Sequence, residues 1–144
     1  MAPLIALLFS FGLFRLAGWI GFSYFDHWHT SLQAAVAVML LLTASAHWGR
    51  RRPDLIKMVP PAFPRPALIV TVTGLLEIAG AIGIMLPSLS KITSLLLVIL
   101  LIAMFPANVR AAREGITLAG KPPTPLLLRT FLQIFFIVVI LLAG

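Results

Sequence analysis

ALIVTVTGLLEIAGAIGIMLP, residues 67–87, is the stretch from which the rest of the chain is read. It is twenty-one residues long, apolar except for small hydroxyls, and carries one acid, Glu77, near its middle. At about 1.5 Å per residue, a helix of that length crosses a hydrocarbon core roughly 30 Å thick. A carboxylate at the centre of such a helix costs about 2.5–3.5 kcal/mol on insertion scales, so it is rare and by default a functional candidate.

The composition agrees with that reading. Of 144 residues 60% are hydrophobic and only 10% charged, with a mean hydropathy of +1.07. Soluble domains are typically about 25% charged, so the chain reads as one small integral membrane domain. The absence of cysteine excludes disulfides, thiolate metal sites and CxxC redox chemistry carried by the protein itself. The net charge of +7 sits in short clusters beside apolar segments. That pattern sets membrane topology and does not read as phosphate recognition, so no nucleic-acid partner is expected.

Outward from residues 67–87, four more apolar spans are expected, at about 3–24, 31–48, 89–109 and 125–143. The fold class is therefore all-α, a five-span transmembrane helix bundle. A cleaved signal peptide is disfavoured for the first span, because Arg15 would fall in its apolar region and the residues before it carry no Lys or Arg. Residues 49–66 form an interfacial connector, with a short helix expected over 53–59 and an extended, proline-rich lead over 60–66. Pro106 predicts a kink near the end of span four. RAAREGITLAGKPPTP, residues 110–125, reads as a loop.

Loop charge chooses the orientation. Arg50, Arg51, Arg52, Lys57 and Arg65 after span two, with Arg110, Arg113 and Lys121 after span four, share a side that faces only Lys91. The positive-inside rule places the N-terminus in the cytoplasm and the C-terminus outside the plasma (inner) membrane. Trp19, Tyr24 and Trp28 then fall near the outer interface and Trp48 near the inner one.

The remaining basic residues, Arg15 and Arg129, lie within spans. Depth counting puts Arg15 roughly 18 Å from the start of span one, Glu77 roughly 15 Å into span three and Arg129 roughly 6–8 Å into span five. Both arginines are therefore candidate partners for Glu77. On a helical wheel Thr73, Gly74, Gly80 and Ala81 share the Glu77 face, a small-residue face suited to helix packing. Gly12 and Gly18 flank Arg15 in the same way. Arg129 and Gln133 share a face of span five, and His47 and Asn108 stand at the cytoplasmic ends of spans two and four. One acid against two bases leaves positive charge suited to an anionic or carbonyl-bearing ligand. The same residues would equally serve to fix helix packing.

Two other patterns are weaker. Asp26, His27 and His29 have too few ligands at too short a spacing for a strong metal site and read as a solvated loop. Bis-histidine haem needs two histidines at matched depth, which His47 lacks. No catalytic motif is present.

TASAHWGRRRPDLIKMVPPAFPRP, TGLLEIAGAIGIMLP and LLIAMFPANVRAA, in that order, resemble the DoxX-like family of small membrane proteins. The resemblance covers residues 43–133. It implies a four-helix core, to which span one is an N-terminal addition carrying Arg15. It also implies a membrane subunit or accessory of a quinone- or thiol-linked redox system. A bound quinone, surrounding lipids, a redox partner protein and homo-oligomers are the ligands and partners expected. By residue it points to His47, Glu77, Pro106, Asn108 and Gln133, without a catalytic assignment. Two alternatives are carried forward. One is a small proton-coupled transporter, motivated by Glu77, the Gly-rich span and Pro106; the other is a purely structural membrane partner.

Overall fold

The computed structural model describes residues 2–117, 120, 122 and 124–144. Lys121, counted above for orientation, lies outside the described residues. The described residues fold into six α-helices and one 3-10 turn: α1 (Ala2–Trp19), the 3-10 turn Ser23–Phe25, α2 (Trp28–Ser45), α3 (Arg52–Met58), α4 (Pro66–Met85), α5 (Ser90–Glu114) and α6 (Leu126–Ala143). Five of these, all but α3, are long and apolar enough to cross a membrane.

The first span is shorter than its run of apolar residues. Gly21 adopts φ +127°, a conformation that disfavours a side chain, and ends the helix. The Phe22 amide donates to Ala17 O and the Gly21 amide to Gly18 O, the paired closure of a glycine-ended helix. Ser23–Phe25 then turns the chain back so that α2 starts at Trp28, three residues before the expected position. The fourth span differs in the other direction. Its helix passes through Pro106 to Glu114 and stops at Gly115, whose φ is +66°. At 25 residues it spans about 37 Å, more than the hydrocarbon thickness.

The connector contains α3 as expected, begun by proline in its first turn. The lead into α4 is not fully extended, because the Phe63 amide donates to Pro60 O and closes a turn. Pro61 presets the backbone for that bend.

Four helices close a ring: α2 packs on α4, α4 on α5, α5 on α6 and α6 on α2, while α1 lies along α2. The bundle is thus a four-helix core with an added N-terminal helix. Small residues decide the closest approaches. A Cβ on Gly74 would meet Trp48 Cη2 at 2.7 Å and His47 Cβ at 2.9 Å. Gly80 lies against Leu97. Gly74, Glu77, Gly80 and Ala81 are buried on α4, as the wheel predicts; Val70, Gly83 and Ile84 are buried with them, and Thr73 stands half-buried at the edge. Gly12 does not follow that pattern: nothing lies within 4 Å of where its Cβ would be, and only Gly18 is in tight contact, against the Phe25 carbonyl.

The core joins Leu7, Val36, Met39, Leu40, Ile84, Leu97 and Ile140. Outside it, Phe9, Leu96, Ile99, Phe131 and many other large apolar side chains are exposed. An apolar surface of that extent is unstable in water and matched by lipid. The chain is a multi-pass membrane protein.

Candidate functional site

Neither arginine pairs with Glu77. With α1 ending at Trp19, Arg15 stands one turn from that helix end, where its Nη1 donates to Phe25 O (3.2 Å) and Asp26 O (3.0 Å). A long cation near a helix end reaches for exposed carbonyls more readily than for a distant acid. Arg129 is occupied elsewhere as well. Its Nε donates to Thr124 O at 2.8 Å and its Nη1 to Asn108 Oδ1 at 2.9 Å.

Glu77 meets the end of α2 instead. Its Oε2 is 3.0 Å from Thr43 Oγ1 and 3.9 Å from His47 Nδ1, and the residue is only 5% exposed. The Thr43 hydroxyl has a second acceptor, Leu40 O at 3.0 Å, so its single hydrogen is contested. Thr43 was not singled out from sequence. Its signal was a hydroxyl four residues before His47, on the same face of the same helix.

His47 sits just past α2, where the last turn tightens through Ala46 to Thr43 O, His47 to Ala44 O and Trp48 to Ser45 O. Its Nδ1 is 3.0 Å from Thr43 O. A carbonyl oxygen only accepts, so Nδ1 carries the proton and the neutral ring presents Nε2 as an acceptor. Burial pushes the His47 imidazole below its ordinary 6.5, so the neutral ring is the folded form near neutrality. The unfolded chain then binds more protons than the folded one in the window below about 6.5. This contribution to stability is complete above that pH and is lost as pH falls toward the folded value. Thermal melts in detergent micelles at pH 7.5 and pH 5.5 should show a larger acid-side loss for wild type than for His47→Gln.

Arg52 ties the site together, though the sequence reading counted it only as loop charge. Its Nη1 donates to His47 O (2.8 Å), and its Nη2 to Ala67 O (3.1 Å) and Thr71 Oγ1 (2.9 Å). The guanidinium fork joins the end of α2 to the first turns of α4. Arg52→Ala is expected to lower stability by about 1.5–3 kcal/mol. Arg52→Lys should recover only part of that, since an ammonium lacks the planar fork. Thermal unfolding followed by tryptophan fluorescence reads both.

Between α3, α4 and α5 lies a cleft of about 370 Å³. Leu55, Met58, Phe63, Val70, Leu100 and Met104 supply apolar walls; His47, Thr73 and Asn108 supply the polar groups. Thr73 spends its hydroxyl on Ile69 O and Val70 O of its own helix. Toward a ligand Thr73 is left only as an acceptor, beside His47 and Asn108. Gln133 stands behind the cleft wall, its Nε2 donating to Leu101 O at 2.8 Å next to the carbonyl of Ile102 that Pro106 leaves without a donor. Of the polar cluster expected at the cytoplasmic end, His47, Asn108, Arg129 and Gln133 gather at or behind this cleft. Glu77 lies beside His47 but does not line the cleft, and Arg15 is elsewhere.

At the other end, His29 Nε2 is 3.3 Å from Gly144 O, and Gln33 Nε2 donates to Ala143 O at 2.9 Å. Among the described residues no three His, Cys, Asp or Glu side chains group as metal ligands.

A family model described as Domain of unknown function (DUF8561) matches residues 36–143. The chain belongs to this family. The DUF8561 segment starts inside α2 and takes in the rest of the four-helix ring, α3 and every residue of the cleft; α1 and Arg15 precede it. No curated protein and no solved structure matches the chain.

Proposed function

We propose that this protein is a plasma (inner) membrane subunit or accessory of a redox system, and that it holds a quinone-type ligand in the cleft between α3, α4 and α5. One observation carries the reading. The cleft is mostly apolar, has a size suited to a substituted aromatic ring, and offers a few polar groups, His47, Thr73 and Asn108. A tailed quinone has that distribution of polarity, and pockets of this kind fix a ligand with few, well-placed polar contacts. The DoxX-like resemblance supports the redox context, with electrons coming from a partner protein.

The same end of the molecule supports an orientation. The connector and the C-terminal half of α5 meet at the cleft, so Arg50, Arg51, Arg52, Lys57, Arg65, Arg110 and Arg113 gather around that end. The positive-inside rule favours a cytoplasmic cleft mouth and N-terminus.

A second reading, a packing role for Glu77, is favoured by its bond to Thr43 across the α2–α4 contact. It is compatible with a ligand in the cleft, which Glu77 does not line. A proton-coupled carrier would instead need Glu77 on the pathway.

Lipid extraction of the purified protein, followed by mass spectrometry, tests the proposal. A quinone is expected to co-purify with wild type and to be lost in Ala103→Trp, which fills the cleft. Absence of quinone from wild type, together with no binding of a decyl-tailed benzoquinone in nanodiscs, would overturn it.

A further inference from the structure

Two polar groups of the cleft, His47 and Asn108, differ in kind, and each is fixed by a contact outside the cleft. Arg129 Nη1 lies 2.9 Å from one heteroatom of the Asn108 amide. A guanidinium only donates, so that atom is Oδ1 and the amide NH2 is left over as a donor. On the other wall, Thr43 O takes the Nδ1 proton of His47 and leaves Nε2 an acceptor. Among the described residues no further bond forms to Asn108 Nδ2 or to His47 Nε2. The cleft therefore presents a donor at the Asn108 amide, set by Arg129 on α6, and an acceptor at His47 Nε2, set by the Thr43 carbonyl on α2. The Thr73 hydroxyl, whose proton stays on its own helix, adds only acceptor capacity.

From this polarity we infer that the cleft selects the reduced, hydroxyl-bearing form of its ligand, a hydroquinone or similar phenolic head, over the oxidised quinone. The inference rests on the cleft reading proposed above and specifies which redox state it favours. A hydroquinone satisfies both walls: one hydroxyl donates to His47 Nε2, and the oxygen of another accepts from Asn108 Nδ2. An oxidised quinone has only acceptors. It is held by Asn108 and sets a carbonyl lone pair against the lone pair of Nε2, leaving both without a hydrogen. An unmet buried polar group of this kind lowers affinity by about tenfold. Arg129 is a positioning residue here, acting through Asn108.

The experiment measures binding of a decyl-tailed benzoquinone and of its hydroquinone to the full chain in nanodiscs, under anaerobic conditions, by calorimetry. The hydroquinone is expected to bind about tenfold more tightly. His47→Phe should bring the ratio close to one, by weakening the hydroquinone and relieving the quinone of the facing lone pair, and Asn108→Leu should weaken both forms. Arg129→Met frees the amide to flip; the hydroquinone can meet either face of it while the quinone needs the NH2, so this variant should weaken the quinone more and widen the ratio. An independent readout is the 15N resonance of the His47 ring, which should show Nε2 unprotonated at neutral pH. Equal affinity of wild type for the two forms, or tighter binding of the quinone, overturns the inference and leaves the cleft reading standing. Binding of neither form overturns the cleft reading itself. The wild-type ratio decides the question even where a variant fails to assemble.

Discussion

Gly74→Leu is expected to prevent α2 and α4 from seating against each other, while Gly12→Leu leaves the bundle intact. At Gly74 even a Cβ would stand 2.7 Å from Trp48 Cη2 and 2.9 Å from His47 Cβ. The second of these atoms is fixed to the backbone just past α2 and cannot rotate away, so the helices themselves have to separate. Overpacking a tight contact costs about 1–3 kcal/mol, and more where backbone must move. Moving α2 also breaks the Thr43–Glu77 bond and the Arg52 fork, so the cost here should exceed that range. At Gly12 nothing lies within 4 Å of the same Cβ, and lipid accepts a leucine readily. Fluorescence-detected size exclusion after heating compares the two. Similar melting of Gly74→Leu and wild type would mean that the α2–α4 contact is looser than the one described. Gly80→Leu should fall between, because its neighbour is the flexible end of Leu97.

The second large effect concerns Glu77. Glu77→Lys should cost about 3–5 kcal/mol, because it buries a cation beside the Thr43 hydroxyl and the His47 ring, neither of which is an acid that could pair it. Glu77→Gln should cost no more than about 1 kcal/mol. The amide oxygen keeps the Thr43 hydroxyl as donor, and Thr43 retains Leu40 O as its other partner. Thermal melting of both variants in one detergent gives the comparison. Equal destabilisation by Gln and Lys would show that a carboxyl group in particular, and not hydrogen bonding or net charge, is what the site requires.

These two positions also explain how far the sequence could be read. The buried face of α4 follows from periodicity and small residues alone, since one helix carries all the information needed to place Gly74, Glu77 and Gly80 on one side. The end of α1 was misread: the apolar run to Tyr24 hid the stop that Gly21 makes. Gly115 plays the same part for α5, whose polar last turns look like a loop by composition but continue as helix.

The partner of Glu77 was a different kind of question. Depth counting ranked Arg15 and Arg129 by distance along separate helices. It carried no information on which helices are adjacent or on what else those arginines could reach. Arg15 stands one turn from the end of α1 and takes the Phe25 and Asp26 carbonyls. Arg129 faces Asn108 across the α5–α6 contact. Thr43, with a short side chain and an ordinary hydroxyl, became the partner because α2 lies against α4.

The sequence by itself determined the membrane class, the five apolar helices, the face that α4 buries and the end of the molecule where positive charge collects. Those properties depend on hydrophobicity and on a 3.6-residue period, and both are local. Only the tertiary structure decided the closed ring of α2, α4, α5 and α6, the cleft at its basic end and the pairings of Glu77 with Thr43 and of Asn108 with Arg129. Hydrogen bonds act over about 3 Å, and which polar groups come that close is set by the packing of helices distant in sequence.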